Sequence, residues 1–246
     1  MKPPSFDVIA VDYDRMINWP ARLDREIPQI HILFKENGVR SLIDFGCGTG
    51  RHALEFRKLG FAVTGVDSSV EMRRIALENA GSEPIPIVES LHMLKGTYDA
   101  VITIGNTLPS LISDRQLTSC FRRMSRLTRS GGLILIQVRN YEALQADQIV
   151  TTGLRETPEA IFFRAYHAED TPGRKRMIHL HSFKLDRADG RLSPSGTISR
   201  VRGWNRNELR HGLTQTGYSD ISFYSDYSRS GFIPESPDIV AVARKR

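Results

Sequence analysis

The sequence has few of the features from which cross-linked, metal-bound or membrane-spanning proteins are built. Only two of its 246 residues are cysteines, Cys47 and Cys120, which are too few for a disulfide framework or a zinc site. No apolar run approaches the roughly 20 residues that cross a bilayer, and no N-terminal stretch resembles a signal peptide. We therefore expect a cytoplasmic protein with reduced thiols, no metal and no membrane partner.

Basic residues exceed acidic ones, but they do not form a block. The formal net charge is +6, and the lysines and arginines are spread along the chain, with local concentrations only at 122–126, 174–176 and the C-terminal end. A nucleic-acid surface gathers its positive charge on one face. We therefore do not expect nucleic acid as a partner, and the 40% apolar content predicts a sizeable core.

The stretch from Leu42 to Gly50 is the feature around which the sequence is organised. An apolar run ends in glycines at positions 46, 48 and 50 and continues as an amphipathic helix, which predicts a buried strand turning tightly beneath a ligand. Asp67 ends the next apolar run, where an acid can accept hydrogen bonds from both ribose hydroxyls. The pattern predicts a nucleoside-containing ligand.

Strands and helices alternate up to residue 140, as in a doubly wound α/β fold. After Tyr141 three predicted strands follow without helices, which indicates an antiparallel insertion over the site. We expect one domain over 1–246, with 1–37 as an N-terminal lid and 145–203 as a substrate cap that is also a candidate interface between copies of the chain. The predicted strands are 41–45, 61–66, 85–88, 98–104 and 133–138 in the first part, 161–166, 176–184 and 197–201 in the insertion, and 218–224 and 238–243 at the end.

The spacing of the glycines restricts the class of nucleoside-containing ligand that the turn can bind. Nicotinamide-binding turns have G-x-G-x-x-G, so that a pyrophosphate lies on the helix N-terminus, whereas this turn has G-x-G-x-G preceded by Asp44. That acid repels a pyrophosphate but can hold an ammonium group, directly or through water. A ribose joined to a cationic amino-acid tail describes S-adenosylmethionine, with S-adenosylhomocysteine as the product.

Residues 44–50, together with Val66, Asp67, Ser68 and Ser69, resemble the class I S-adenosylmethionine-dependent methyltransferases. The resemblance implies a Rossmann-like, seven-stranded sheet with the last strand antiparallel, and the cofactor at the carboxyl ends of the first two strands. It also implies that Asp44 holds the methionine amino group, that Asp67 holds the ribose, and that Ser90 or its neighbour Glu89 faces the adenine. The residues expected to bind the cofactor are Arg22, Asp44, Gly46, Cys47, Gly48, Gly50, Asp67, Ser68, Met72, Ser90, Leu91 and Ile104.

Three further segments are similar to the glycine and sarcosine N-methyltransferase branch: 104–109, 137–141, and Tyr13-Asp14 with Trp19 and Arg22. This similarity implies that Asn106 and Arg139 bind the acceptor, Arg139 through a carboxylate, and that Arg22 holds the carboxylate of the cofactor. An arginine just past a buried strand also needs an anion on physical grounds.

Each of these residues has a structural alternative. Arg139 can form a salt bridge with Glu142, Asn106 can satisfy backbone groups in a turn, and Arg22 can be a solvated helix residue. Tyr13 either closes over the methyl group or packs on the lid. In the insertion we interpret the alternating residues as ordinary sheet faces, with lining of the substrate pocket as the alternative: Phe162, Phe163, Arg164, Tyr166, His179 and His181. We expect no metal at His179 and His181, because a third ligand of suitable spacing is missing.

The leading hypothesis is a methyltransferase that transfers a methyl group in line to the nitrogen of a small amine or amino acid. Tyr13, Asn106 and Arg139 are the candidate catalytic residues, and no residue is assigned as a general base. The alternatives are another acceptor, such as a small-molecule hydroxyl or RNA, and a protein that binds the cofactor without catalysis.

Overall fold

The computed structural model describes residues 6–82, 84–145, 148–170, 175–188 and 191–246. These residues form a seven-stranded sheet with helices on both faces and a separate four-stranded antiparallel sheet. The helices are α1 Asp7–Met16, α2 Trp19–Glu36, α3 Arg51–Lys58, α4 Val70–Ala80, α5 Asp114–Leu127 and α6 Arg206–Gln215. The strands are β1 Ser41–Phe45, β2 Ala62–Val66, β3 Ile87–Val88, β4 Tyr98–Thr103, β5 Thr128–Arg139, β6 Ile149–Glu156, β7 Ala160–Glu169, β8 Met177–Ala188, β9 Arg191–Arg202, β10 Tyr218–Tyr224 and β11 Asp238–Lys245.

The large sheet confirms the predicted fold class. Its strand order is β10-β11-β5-β4-β1-β2-β3, and β11 runs antiparallel to both of its neighbours while the other pairs are parallel. The order reverses beside β1, and in such sheets the crevice at this point is where ligands bind. The last strand is therefore the antiparallel one, as predicted.

Two apolar layers enclose this sheet because its central strands are buried on both faces. Alternate residues of one strand face opposite layers: Leu42 packs with α2 and α3, whereas Ile43 packs with α5 and α6. Phe34 and Phe56 are fully buried on the first side, and Phe121 is fully buried on the second. The core thus holds the carboxyl ends of β1, β2 and β4 in fixed positions.

The antiparallel sheet has one strand more than the sequence analysis predicted. Its order is β6-β7-β8-β9, and β6 was missed because most of its residues are exposed and it lacks the alternation of a half-buried strand. The helix α1 was also not predicted. It packs on α4 and, through Met16, against Phe162 of β7.

Among the described residues, no helix is both long and apolar enough to cross a membrane.

Candidate active site

A cavity of about 560 Å³ opens at the carboxyl ends of β1, β2 and β4, below α1. Tyr13, Asn106 and all predicted cofactor-binding residues except Gly50 line it. Arg139 does not line it. The other lining residues are Phe6, Trp19, Phe45, His52, Val66, Glu89, His92, Gly105, Thr107, Ser110, Leu111, Gln116, Ser119, Cys120 and Arg123.

The glycine turn brings backbone atoms close to the cavity. Gly46, Gly48 and Gly50 all have positive φ, at 77°, 55° and 79°, a region that residues with a Cβ rarely adopt. A Cβ on Gly46 would lie 2.8 Å from the Cβ of Thr107 and closer still to its outer atoms. Gly50 instead faces α4: a Cβ added to Gly50 would lie 3.1 Å from the Cβ of Ala76. The glycine therefore allows α4 to pack closely on the turn.

Asp44 carries an unpaired buried oxygen. Its side chain is almost fully buried, and Oδ1 has no hydrogen-bond partner within the described part of the chain. Burial raises the pKa of Asp44 to about 7, and the neighbouring Asp67 carboxylate adds to the rise. A buried carboxylate without a partner is costly, and an ammonium group beside Oδ1 would supply both the hydrogen bond and the opposite charge.

Asp67 organises the turn from the end of β2. Its Oδ2 accepts a hydrogen bond of 2.8 Å from the Gly48 amide and its Oδ1 one of 2.9 Å from the Ser69 amide. Burial raises the pKa of Asp67, although these two hydrogen bonds act in the opposite direction. Each carboxylate oxygen retains acceptor capacity, so the group can still bind a hydroxyl from the cavity.

Arg22 lies in a buried group of charges that the sequence analysis missed. Its Nε donates to Glu26 at 3.1 Å, and the same carboxylate is 2.8 Å from Nε2 of His52. The hydrogen bond from His52 and the charge of Arg22 overcome the effect of burial and lower the pKa of Glu26, while burial lowers that of His52. An ionised Glu26 only accepts hydrogen bonds, so the hydrogen bond between the two places a proton on Nε2 of His52.

This network fixes the direction of Arg22. Nη2 would lie 3.2 Å from a Cβ on Gly105 at the cavity wall, and the guanidinium covers the Trp19 ring at 5.2 Å. Only 17% of the Arg22 side chain is exposed, so the alternative of a solvated helix residue is wrong. Glu26 lies one turn after Arg22 on α2, a spacing at which opposite charges pair, but His52 lies thirty positions from Arg22, and no local pattern indicated that it joins them.

Asp14 fastens α1 over the glycine turn and is the second feature that sequence reasoning missed. It accepts hydrogen bonds from the Trp19 indole at 2.9 Å and from the Thr49 hydroxyl at 2.5 Å. It also forms a salt bridge with Arg51 and accepts from the Asn79 amide at 3.0 Å. Four partners from four segments therefore meet on one carboxylate, which places the ring of the adjacent Tyr13 3.9 Å from the Cβ position of Gly48.

The residues after β3 form the far end of the cavity. Ser90 caps a short helical turn by accepting from the His92 amide at 3.2 Å, which leaves its hydroxyl hydrogen free. Glu89 also lines the cavity and is more exposed. The carbonyl of Leu91 is fixed by Nε of Arg123 at 3.0 Å. Both candidates for the adenine contact therefore face the cavity.

Beside the cavity, Asn106 and Arg139 are brought together. Asn106, with a φ of 68°, accepts from the Arg139 amide at 2.9 Å and donates to the Tyr141 hydroxyl at 2.9 Å. Asn106 is thus a turn residue that satisfies a backbone group, with one amide hydrogen remaining. Burial raises the pKa of Tyr141 to about 12, so Tyr141 remains protonated.

The guanidinium of Arg139 has no carboxylate partner within 4 Å among the described residues. It contacts Tyr166, whose hydroxyl is 3.4 Å from Nη1 and whose ring centre is 5.3 Å from Cζ. Glu142, the alternative partner, binds Arg206 instead, so the salt-bridge alternative is wrong. Asp238 acts on Arg139 only through longer-range electrostatics.

The insertion histidines lie away from this site. His167 stacks on His179 and on His181, with ring centres 4.9 and 5.2 Å apart, and Glu169 is hydrogen-bonded to His179 at 2.8 Å. In the part of the chain that the structure describes, no group of three or more potential ligands is arranged to hold a metal.

Sequence and fold comparisons agree with this geometry. Residues 42–132 match the family model described as a methyltransferase domain. A glycine/sarcosine N-methyltransferase from Parasynechococcus marenigrum is 27% identical, and the match covers 95% of this chain and 81% of that protein. A glycine N-methyltransferase from rabbit (Oryctolagus cuniculus) is 29% identical, and the match covers 56% of this chain and 52% of that protein.

Solved structures show the same fold. An S-adenosylmethionine-dependent methyltransferase from Clostridium acetobutylicum superposes with a TM-score of 0.77, covering 98% of this chain and 99% of its own at 15% identity. An amino pentose methyltransferase from Micromonospora echinaspora, solved with S-adenosylmethionine bound, has a TM-score of 0.73 at 16% identity and covers both chains fully.

Motif, fold and relatives together support a class I S-adenosylmethionine-dependent methyltransferase. Within that class its sequence is similar to the glycine and sarcosine N-methyltransferases. The unpaired Asp44 oxygen and the glycine turn fit the cofactor, S-adenosylmethionine, because an ammonium group and a close-lying backbone are what these two features can accommodate.

Proposed function

We propose that this enzyme methylates the nitrogen of a small amine or amino acid that carries a carboxylate. The observation that carries the proposal is the half-buried Arg139 guanidinium, which among the described residues has Tyr166 as its side-chain partner and lies beside Asn106. A planar guanidinium binds a carboxylate through charge-assisted hydrogen bonds worth roughly 1.5–3 kcal/mol each. The relatives named as glycine or sarcosine N-methyltransferases support the same acceptor class.

On this proposal the cofactor lies in the 560 Å³ cavity. Asp44 holds its ammonium group, Arg22 its carboxylate, Asp67 its ribose, and Ser90 or Glu89 its adenine. Gly46, Gly48 and Cys47 present backbone, while Met72, Leu91 and Ile104 supply apolar walls and Ser68 closes the rim. Burial beside Asp44 and Asp67 raises the pKa of Cys47 well above its usual range, so its thiol takes no part as a nucleophile.

The cofactor supplies a methyl group already activated on a sulfonium. The protein therefore has to place an unprotonated amine in line with that methyl group, and positioning alone contributes on the order of 7–11 kcal/mol. Arg139 anchors the acceptor carboxylate, Asn106 orients the loop that holds it, and Tyr13 lies over the glycine turn with its hydroxyl available to the reacting groups. The positive charge of Arg139 also favours the neutral form of a nearby amine.

We further propose that α1 and α2 act as the lid and that the antiparallel sheet, β6 to β9, acts as the substrate cap. Met16 packs on Phe162, and Asp12 pairs with Lys184 of β8 at 2.9 Å. The lid and the cap thus contact each other through these two pairs.

A radiolabelled methyl-transfer screen over amino acids, amines, phenols and RNA tests the proposal. Carboxylate-bearing amines are the expected acceptors, and Arg139→Lys is expected to raise their KM about tenfold or more while affinity for S-adenosylhomocysteine stays unchanged. Arg126→Lys, an exposed position on α5, is the matched control. Transfer to RNA or phenols alone, or a change in kcat without a change in KM, would contradict the carboxylate role.

A further inference from the structure

An arginine of the cap, Arg164, faces the same side of the site as Arg139 of the large sheet. Arg164 lies on β7 two residues before Tyr166 and two after Phe162, so the three side chains share one face of the sheet. Phe162 from this face packs on Met16, and Tyr166 contacts Arg139 and stands edge-on to Tyr141. Arg164 is therefore placed between the lid and the residues proposed to hold the acceptor.

The Arg164 side chain forms no hydrogen bond or ion pair with any described residue. Burial, followed by the positive charges of Arg139 and Arg22, lowers the pKa of Arg164, while the nearby Tyr13 and Tyr141 act in the opposite direction. Glu26, the carboxylate next to Arg22 on α2, pairs with Arg22 and Arg25 and is therefore already engaged. An arginine that is half-buried without a partner is costly unless a ligand supplies an anion.

A cavity of about 300 Å³ lies beside Arg164, between α2 and the strands β6 and β7. Arg22, Arg25, Arg155 and Arg164 line it, and none of the described residues that line it is acidic. Arg22 also lines the 560 Å³ cavity, so the two spaces meet at this residue. The surroundings of Arg164 are suited to a negatively charged group.

Resting on the proposed function, we infer that the methyl acceptor carries two anionic groups, one held by Arg139 and a second, a carboxylate or a phosphate, held by Arg164. With one anion, as in glycine, Arg164 would remain unpaired in the complex. With two, each guanidinium has a partner, and the amine is held at two points. The acceptor class is therefore an amine with two acid groups, of which an aminodicarboxylic acid and a phosphorylated amino acid are the two chemical forms.

Titration calorimetry with amine-free anions tests the second anion site independently of turnover. With the protein saturated by S-adenosylhomocysteine and at constant ionic strength, succinate is expected to bind at least tenfold more tightly than acetate. In Arg164→Gln this preference should disappear while acetate binding is unchanged, and in Arg164→Lys it should be partly retained. Arg191→Gln, which removes one exposed charge from β9, should preserve it. Equal binding of the two anions by the unaltered protein would overturn the inference.

Turnover distinguishes the two forms of the second acid. Aspartate and O-phosphoserine are compared with glycine, and one of the diacids is expected to exceed glycine at least tenfold in kcat/KM, with the excess lost in Arg164→Gln. A glycine rate equal to both diacids, or an equal loss for all three acceptors in the variant, would count against the inference. If no amine is methylated, the proposed function fails, and the succinate preference alone decides whether the anion site exists.

Discussion

The two halves of the active site are held in different ways. On the cofactor side, Asp44 and Asp67 and the glycine turn occupy the ends of adjacent parallel strands, and the turn is fixed by short backbone contacts such as Gly46 N–H to the Val66 carbonyl at 2.7 Å. On the proposed acceptor side, Arg139 lies on β5 and Tyr166 and Arg164 lie on β7 of the other sheet, so these residues come together only after the chain has folded. The first half depends on local geometry and the second on distant contacts.

Because of this difference, we expect the cofactor side to be rigid and the acceptor side to tolerate substitutions. The cofactor side must accept one ligand, and Gly46 leaves no space for a side chain. The acceptor side is assembled on the cap, where substitutions alter the pocket without disturbing the main core. We therefore expect the largest losses of stability and cofactor binding from the turn, and changes confined to acceptor kinetics from the cap.

The largest effect is expected for Gly46→Ala. The added Cβ would overlap Thr107, whose own Cβ is only 2.8 Å away and cannot move aside by side-chain rotation. We expect a loss of more than about 3 kcal/mol in the free energy of unfolding, measured by urea denaturation. Gly60→Ala is the matched control, since Gly60 has a φ of 89° but nothing within 4 Å of its Cβ position, and about 1 kcal/mol is expected there. Equal losses would show that backbone strain, and not overlap, decides the outcome.

Asp44→Asn should separate binding from stability on the cofactor side. We expect affinity for S-adenosylhomocysteine to fall by roughly a hundredfold, since a charge-assisted hydrogen bond with its ion-pair partner is lost. The unliganded variant should be more stable than the unaltered protein at pH 8. Because folding raises the pKa of Asp44 to about 7, its protonation favours the folded state at low pH, and this contribution disappears as the pH rises through 7.

The same carboxyl group predicts a pH dependence of binding. Affinity for S-adenosylhomocysteine should increase from pH 6 to pH 7, by roughly tenfold per unit where Asp44 is still protonated, and level off above that. Calorimetry across this range measures it, with Asp114→Asn, an exposed acid at the start of α5, as the control. A slope that persists in Asp44→Asn would assign the titration to another group.

A smaller effect is expected at the junction of the two halves. Asp14→Asn retains the size of the side chain but removes the charge that pairs with Arg51 and changes the acceptor pattern for Thr49, Trp19 and Asn79. We expect a five- to tenfold faster dissociation of S-adenosylhomocysteine in stopped-flow measurements, with the main unfolding transition changed by no more than about 1–2 kcal/mol. An unchanged dissociation rate would show that α1 does not cover the ligand.

The smallest effect is expected at the adenine end, where two residues remain alternatives. Exchange of Glu89 for Gln and of Ser90 for Ala should identify the contact, because the residue that accepts from the ligand loses two- to fivefold in affinity and the other loses nothing. Competition between S-adenosylhomocysteine and its inosine analogue, which lacks the amino group, measures this. If both variants lose the same factor in affinity for S-adenosylhomocysteine and for the inosine analogue, neither side chain contacts that amino group.

The sequence predicted the large sheet well because its information is local. Strands β1 and β10 begin and end as predicted, and the Ser69 cap of α4 is present, with its Oγ accepting from the Met72 amide at 3.1 Å. Apolar runs bounded by glycines are sufficient to define such elements. The predicted cofactor-binding residues mostly converge for the same reason, since carboxyl ends of parallel strands meet at one edge.

The parts that escaped prediction depend on distant partners. α1 exposes Val8 and Val11 and is fixed mainly by polar contacts with α3, α4 and the cap, so its sequence lacks the apolar periodicity of a core helix. Arg164 was interpreted as an ordinary sheet residue, with the substrate pocket as the alternative, because alternation alone does not show which face of a strand is turned to the site. Glu26 and His52 meet only through the packing of α2 on α3.

One helix contacts both halves of the site, and this has a consequence for the order of turnover. α1 reaches the glycine turn through Asp14 and the cap through Met16 and Asp12, so it cannot swing away from one without leaving the other. A single opening movement of α1 would then both release S-adenosylhomocysteine and uncover the pocket for the amine. In steady-state kinetics such shared gating links release of the demethylated cofactor to release of the methylated amine. A substitution that loosens α1 should therefore accelerate both release steps by the same factor.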